Sequence, residues 1–160
     1  MPTFDISSEF NKQEVSNAVD QCHREISNRY DFRDTKTSIS LMDNSILLKS
    51  STLDRMLAAE QVLKEKFVKR SVSIKFLGDV KDETLPSEVK RIYNLKSGID
   101  QSTSKEIITL LKKSNKKIQC SYQNETIRVT SKKRDDLQEA ITLIKDSNIE
   151  TPLNFGNFRD

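Results

Sequence analysis

The sequence is short of the residues that build the commonest catalytic and cofactor sites. It has three glycines, two cysteines, one histidine and no tryptophan in 160 residues. Gly78, Gly98 and Gly156 stand far apart, which excludes the glycine-rich phosphate loops of Walker and dinucleotide-binding type. Cys22, Cys120 and His23 cannot supply the clustered ligands of a zinc site. Two distant cysteines make no disulfide framework and agree with a reducing cytoplasm. No apolar run reaches membrane-spanning length, and the N-terminal residues Met1 to Asp5 show neither a basic region nor a hydrophobic signal core. The expectation is a cytoplasmic α+β protein without membrane contact, and a binder rather than an enzyme.

What is present is charge, at 32% of the residues, with a net formal value of only +3. The distribution is uneven. Between Lys105 and Arg134 nine basic side chains face two acidic ones, Glu106 and Glu125. One region is therefore electropositive and the remainder mildly acidic.

The chain also overlays on itself at a shift of 81 residues. Arg24-Glu25-Ile26 falls on Lys105-Glu106-Ile107, Ile46-Leu47-Leu48 on Ile127-Arg128-Val129, and Met56, Ala59 and Leu63 on Leu137, Ala140 and Ile144. Val72 and Ile74 fall on Leu153 and Phe155. Each copy reads as strand, helix, strand, strand, helix, strand. In the first, Phe4 to Ile6 opens, and Val15, Ala18, Val19, Cys22 and Ile26 form a helical stripe. Ile39 and Leu41 alternate, Asp43-Asn44 turns the chain, and Thr52 caps a helix with Met56, Ala59, Leu63 and Phe67 inward.

In the second copy Val89 to Leu95 opens, and Ser102 or Ser104 starts a helix. Ile118, Cys120 and Tyr122 alternate, Gln123-Asn124 turns, and Ser131 caps the next helix. Leu153 to Phe158 closes. The predicted fold is α+β: two ferredoxin-like βαββαβ units from an internal duplication, antiparallel sheets with helices on one face. The predicted domains are 1–79 and 82–160, divided at the linker-like stretch Gly78 to Pro86. Exchange of terminal strands between the units is left open.

Candidate catalytic groups are few. His23 follows the buried helical stripe, Cys22 and Cys120 lie on apolar periodicities, and Asp135-Asp136 occupy a helix start, where acids offset the dipole. No nucleophile–base arrangement exists, so no enzymatic activity and no cofactor is expected. Anion binding is better supported. A strand that points Ile127 and Val129 inward points Thr126, Arg128 and Thr130 onto the open sheet face, beside Gln119, Ser121 and Gln123 of its partner. Arg128 then stands near Lys132, Lys133 and Arg134 at a helix start, where guanidinium forks and helix N-termini suit phosphate. The same residues are equally compatible with solvated lysines or with an open sheet face that packs against the first unit. Base stacking across the sheet is not expected, because the strand Ile127-Arg128-Val129 lacks the glycine and aromatics of RNA-recognition motifs. Phe4, Phe32, Tyr93 and Phe158 remain single candidates for stacking.

Several stretches together resemble the bacterial YajQ family. They are Phe4-Asp5-Ile6, Gln13-Glu14-Val15, Asn17-Ala18-Val19, Arg29-Tyr30-Asp31-Phe32-Arg33, Leu95-Lys96-Ser97-Gly98-Ile99, Glu125-Thr126-Ile127-Arg128-Val129, Ser131 to Gln138, and the terminal Asn157-Phe158-Arg159-Asp160. The resemblance spans essentially the whole chain. It implies two ferredoxin-like domains, a cytoplasmic bacterial protein and nucleotide binding without established enzymatic activity. Some members are described as cyclic-di-GMP effectors that also contact nucleic acid or transcription factors. It also brings Arg29 and Arg33 forward, with the opposing reading that Tyr30 and Phe32 pack the helix end while Asp31 pairs with an arginine. The nucleotide-binding set predicted on both grounds is Arg29, Arg33, Lys96, Lys112, Gln119, Arg128, Lys132 and Arg134. The alternative is an RNA-, DNA- or protein-binding adaptor that uses the basic face of the second domain.

Overall fold

A computed structural model describes all 160 residues. Eight strands and four long helices follow one another as β1 (Thr3–Ser7), α1 (Lys12–Asn28), β2 (Ser38–Met42), β3 (Ser45–Ser50), α2 (Leu53–Lys69), β4 (Val80–Leu85), β5 (Glu88–Asn94), α3 (Gln101–Ser114), β6 (Gln119–Gln123), β7 (Thr126–Thr130), α4 (Arg134–Lys145) and β8 (Asn154–Arg159). The strands form two antiparallel sheets, ordered β6-β7-β1-β8 and β2-β3-β5-β4. Each sheet has its own hydrophobic core.

The chain divides differently from 1–79 and 82–160. One unit is continuous, Phe10–Lys96, and the other is split, Met1–Glu9 with Ser97–Asp160. Strand β1 pairs with β7 and β8, which puts Phe4 and Ile6 into the core made by the C-terminal residues. In the split unit, chain order β1, β6, β7, β8 gives the spatial order second, third, first, fourth of a ferredoxin-like sheet. The continuous unit has the same spatial order if β5 is taken as its first strand and β4 as its last. It is a circular permutation of the other, closed by the β4–β5 hairpin.

The stretch Gly78 to Pro86 is therefore not a linker. Its polar composition has another cause: β4 lies at a sheet edge, and all six of its residues are exposed. Val72 and Ile74 do not form a closing strand either, since Ile74–Leu77 is a 3-10 turn. The 81-residue shift holds for β2 on β6, β3 on β7 and α2 on α4. It fails for α1 and α3, because residues 29–37 join α1 to β2 where residues 115–118 suffice between α3 and β6.

Local chemistry explains the element ends. Asn11 accepts from the backbone N–H groups of Gln13 and Glu14, and Thr52 from that of Arg55. The cap of α3 is Asp100, accepting from Thr103, rather than Ser102 or Ser104. Helix α4 begins after Lys133 with no side-chain cap of its own, while Ser131 Oγ donates to Asp136. The second hairpin turns on Asn124-Glu125, one residue later than Gln123-Asn124. Both turn residues have positive φ, 52° and 60°, which matches the twist of a two-residue hairpin.

Gly98 is the glycine that the fold requires. Its φ is +92°, and an added Cβ collides with the Glu125 carboxyl and lies 3.1 Å from the Glu125 Cβ. Its neighbour Ile99 donates to the Glu125 carbonyl at 2.9 Å, so the entry to α3 and the hairpin turn are tied together there. Gly98→Ala is expected to destabilise the split unit by about 1–3 kcal/mol, read from denaturant unfolding; an unchanged midpoint is the contrary result.

Candidate nucleotide site

Cross-strand register fixes which basic residues share an end of the split unit. Gln119 pairs with Thr130, Thr130 with Thr3, and Thr3 with Arg159, a single row across the sheet. Helix α3 ends at this edge and α4 begins there. Lys112, Lys116, Lys117, Lys132, Lys133, Arg134 and Arg159 are thus gathered at one end of the unit by the topology. The opposite end carries the Asn124-Glu125 turn and Asp100.

The predicted side chains do not converge on one pocket. Lys112 and Gln119 line a depression of about 380 Å³ with Lys116, Ile118 and Cys120. Arg128 lines another of about 250 Å³ on the open sheet face, with Asp5, Ser121, Gln123, Asn124 and Thr126. Arg134 lines a third, of about 340 Å³, between α4 and the end of β8. Lys132 is exposed just ahead of α4. Arg29, Arg33 and Lys96 belong to the continuous unit.

Several of the predicted cations are already engaged. Arg128 donates from Nε to Asp5 Oδ1 at 3.0 Å, and Asn157 donates to Asp5 Oδ2 at 2.7 Å. Burial pushes the Asp5 carboxyl up, but the hydrogen bonds from Arg128 and Asn157 outweigh it and hold the group below the usual aspartate value. The Arg128 partner is therefore an ionised carboxylate at neutral pH, and an incoming phosphate has to compete with it. Arg29 makes a two-pronged contact with Asp31 at 3.0 and 2.8 Å and a third hydrogen bond to Glu25 at 3.0 Å. Lys96 is 3.0 Å from Asp79 in a solvent-exposed ion pair.

The groove beside Arg134 has a different character. Its lining joins Arg134, Leu137, Gln138 and Ile141 of α4 to Phe158, Arg159 and Asp160. Phe158 is 62% exposed, yet its ring is backed by the buried Phe4, with centroids 5.8 Å apart and planes 25° apart. Of the four aromatics that the sequence offers as stackers, Phe4, Phe32 and Tyr93 are buried and Phe158 alone is open. Arg134 contacts the Asp160 carboxylate, both side chains being about three-quarters exposed. Arg159 is the residue that sequence reasoning misses. It is one more charge at a strand end by periodicity, and only the Thr3 register places it beside Arg134.

No group of three or more His, Cys, Asp or Glu side chains is placed to hold a metal ion. His23 is exposed on α1. Burial pushes the Cys22 thiol up to about 12 and raises that of Cys120 as well, so neither is a ready thiolate. No helix is long and apolar enough to cross a membrane.

Comparison with known proteins agrees over the full length. The family described as "Nucleotide-binding protein YajQ-like" matches residues 2–159. A "Nucleotide-binding protein" of Hahella chejuensis (strain KCTC 2396) is 42% identical over 164 aligned residues, covering 100% of both chains. Proteins of the same description from Legionella pneumophila (strain Corby) and Coxiella burnetii (strain Dugway 5J108-111) are 43% and 42% identical, again over 100% of each chain.

Proposed function

The chain belongs to the YajQ-like nucleotide-binding family, and from that premise we propose that it binds a nucleotide in the groove between α4 and the end of β8, without turning it over. One observation carries this reading: the groove joins an open aromatic ring, Phe158, to two guanidinium groups, Arg134 and Arg159. A base stacks on the Phe158 face, which Phe4 supports from behind. The phosphate replaces the Asp160 carboxylate on Arg134 and gains the second charge of Arg159, in the forked geometry that guanidinium offers to phosphate oxygens. With no glycine loop in the chain, side chains have to supply this recognition. The groove holds no nucleophile paired with a base, which favours binding over catalysis.

A volume of about 340 Å³ lies at the small end of ligand pockets, roughly 300–1,000 Å³. It suits a mononucleotide, or one base and phosphate of a cyclic dinucleotide such as cyclic di-GMP. The row of exposed lysines at the same end supports a second reading, in which the surface follows a nucleic-acid backbone. Calorimetric titration of mononucleotides, cyclic di-GMP and the matching nucleosides separates these. The groove reading expects nucleotides to bind and nucleosides to bind at least tenfold more weakly, with a modest salt effect. A ligand held by many phosphates instead loses about a thousandfold or more between 50 and 200 mM salt. Equal affinity for nucleoside and nucleotide rejects phosphate-led binding.

A further inference from the structure

Residues 29–37 of the continuous unit, the connection that is longer than its counterpart in the split unit, hold a second aromatic–arginine pair. The sequence reading has Tyr30 and Phe32 both packing the end of α1; Phe32 does so and is 5% exposed, whereas Tyr30 is 83% exposed. The backbone that carries it is anchored. Tyr30–Phe32 is a 3-10 turn, and Phe32 lies under two guanidiniums, with Arg29 5.0 Å and Arg55 5.9 Å from its centroid. Both arginines also hold Asp31, Arg55 at 3.3 Å.

Further along, Thr35 donates to the Phe32 carbonyl at 2.6 Å, and a hydroxyl chain runs from Thr35 to Thr37 to Ser50 at 2.7 and 2.9 Å. Asp34 and Lys36 adopt left-handed conformations, with φ of 62° and 54°. Side chains in such conformations persist only where the surroundings over-determine the backbone. The turn is therefore a rigid mount.

Arg33 is the extended residue that follows the turn, and its N–H closes it onto the Tyr30 carbonyl at 3.0 Å. Its guanidinium is exposed and takes no partner, in contrast to Arg29 and Arg55. The turn joins the end of α1 to the start of β2, the end of this unit that corresponds to the basic end of the split unit. An open aromatic ring and a free guanidinium on one short turn, with Asp34 and Lys36 rather than apolar side chains following, fit a nucleobase carrying phosphate better than a dry protein interface.

We infer that the continuous unit carries a second site for a base with its phosphate, free or within a single strand, in which Tyr30 stacks the base and Arg33 holds the phosphate. The inference shares its ligand class with the proposed function but uses none of the groove residues, so the two stand or fall separately.

The test is residue-resolved: amide NMR titration of the full chain with AMP, with GMP and with a short single-stranded RNA. Resonances of residues 29–36 are expected to shift with their own affinity, apart from those of 134 and 156–160. Tyr30→Ala and Arg33→Ala each weaken the first set about tenfold or more, Tyr30→Phe keeps it within about twofold, and the remaining spectrum stays in place because Tyr30 supports no core. A response to the mononucleotides identifies a free nucleotide as sufficient, and a response to the RNA alone identifies a strand. Shifts at 29–36 without shifts at 134 and 156–160 reject the groove and keep this site. The reverse pattern, or shifts at 29–36 that survive Tyr30→Ala unaltered, overturns it.

Discussion

Cutting the chain into residues 10–96 and 97–160 leaves the first fragment folded and the second unfolded. The continuous unit contains its four strands, both helices and its whole hydrophobic cluster within one stretch. The other fragment lacks β1, which lies inside its sheet between β7 and β8. Without β1, β8 has no partner, and only the two-stranded β6–β7 hairpin remains, an arrangement that is marginal in water. Phe4 and Ile6, both 0% exposed, are lost from the core as well. Full burial of each such side chain stabilises by about 1.5–3 kcal/mol, and a domain has only about 5–15 kcal/mol in hand. Circular dichroism and amide dispersion of the two fragments check this, and adding a peptide of residues 1–9 to the second should restore part of its structure. Cooperative unfolding of 97–160 alone would show that β1 is dispensable and contradict the account of the split unit.

Replacing Arg134 and Phe158 together with alanine is expected to weaken nucleotide binding about a hundredfold or more, with little change in thermal stability. Removing a stacked aromatic costs about 1–3 kcal/mol per base, and removing a charged hydrogen-bond donor to phosphate about 1.5–3 kcal/mol. The stability of the fold depends little on either side chain. Phe158 is mostly exposed, and the Arg134–Asp160 pair is open to solvent, where such pairs contribute about 0–1 kcal/mol. Asp160→Asn should act in the opposite sense and tighten binding, because it removes the carboxylate that competes for Arg134. The double variant, wild type and Asp160→Asn are compared by calorimetry with the best ligand of the panel. Full affinity in the double variant would move the site away from the groove. Arg128→Ala is then the next variant to examine, although its contact with Asp5 makes it the weaker candidate.

Much of the fold is legible in the sequence because its signals are local. The stripe Val15, Ala18, Val19, Cys22 and Ile26 is the buried face of α1, and Leu137, Ala140, Ile141 and Ile144 that of α4. The β2–β3 and β6–β7 hairpins appear within a residue of their predicted turns. The candidate site is less legible. Arg128 and Arg134 are close in sequence, but one points onto the open sheet face beside Asp5 and the other into a groove along α4. Arg29 and Arg33, in one short motif, differ just as much: the first is consumed by Asp31 and Glu25, the second is free. Periodicity reports which face of an element is apolar, and says nothing of which carboxylate will meet a given arginine.

The scarcity of glycine, cysteine and histidine settles by itself that glycine-rich phosphate loops and zinc sites have no residues to build them. Composition and pattern also determine the duplicated α+β arrangement and family membership, since both rest on short-range apolar order and on motifs. Tertiary structure alone decides that β1 joins the C-terminal residues. The alternation of Phe4 and Ile6 suits either core, and only its pairing with β7 and β8 selects one. It likewise decides that Phe158 stays open beside Arg134 and Arg159 while Phe4 closes behind it. Such a site depends on register between strands more than 150 residues apart in the chain, a long-range relation that local composition does not encode.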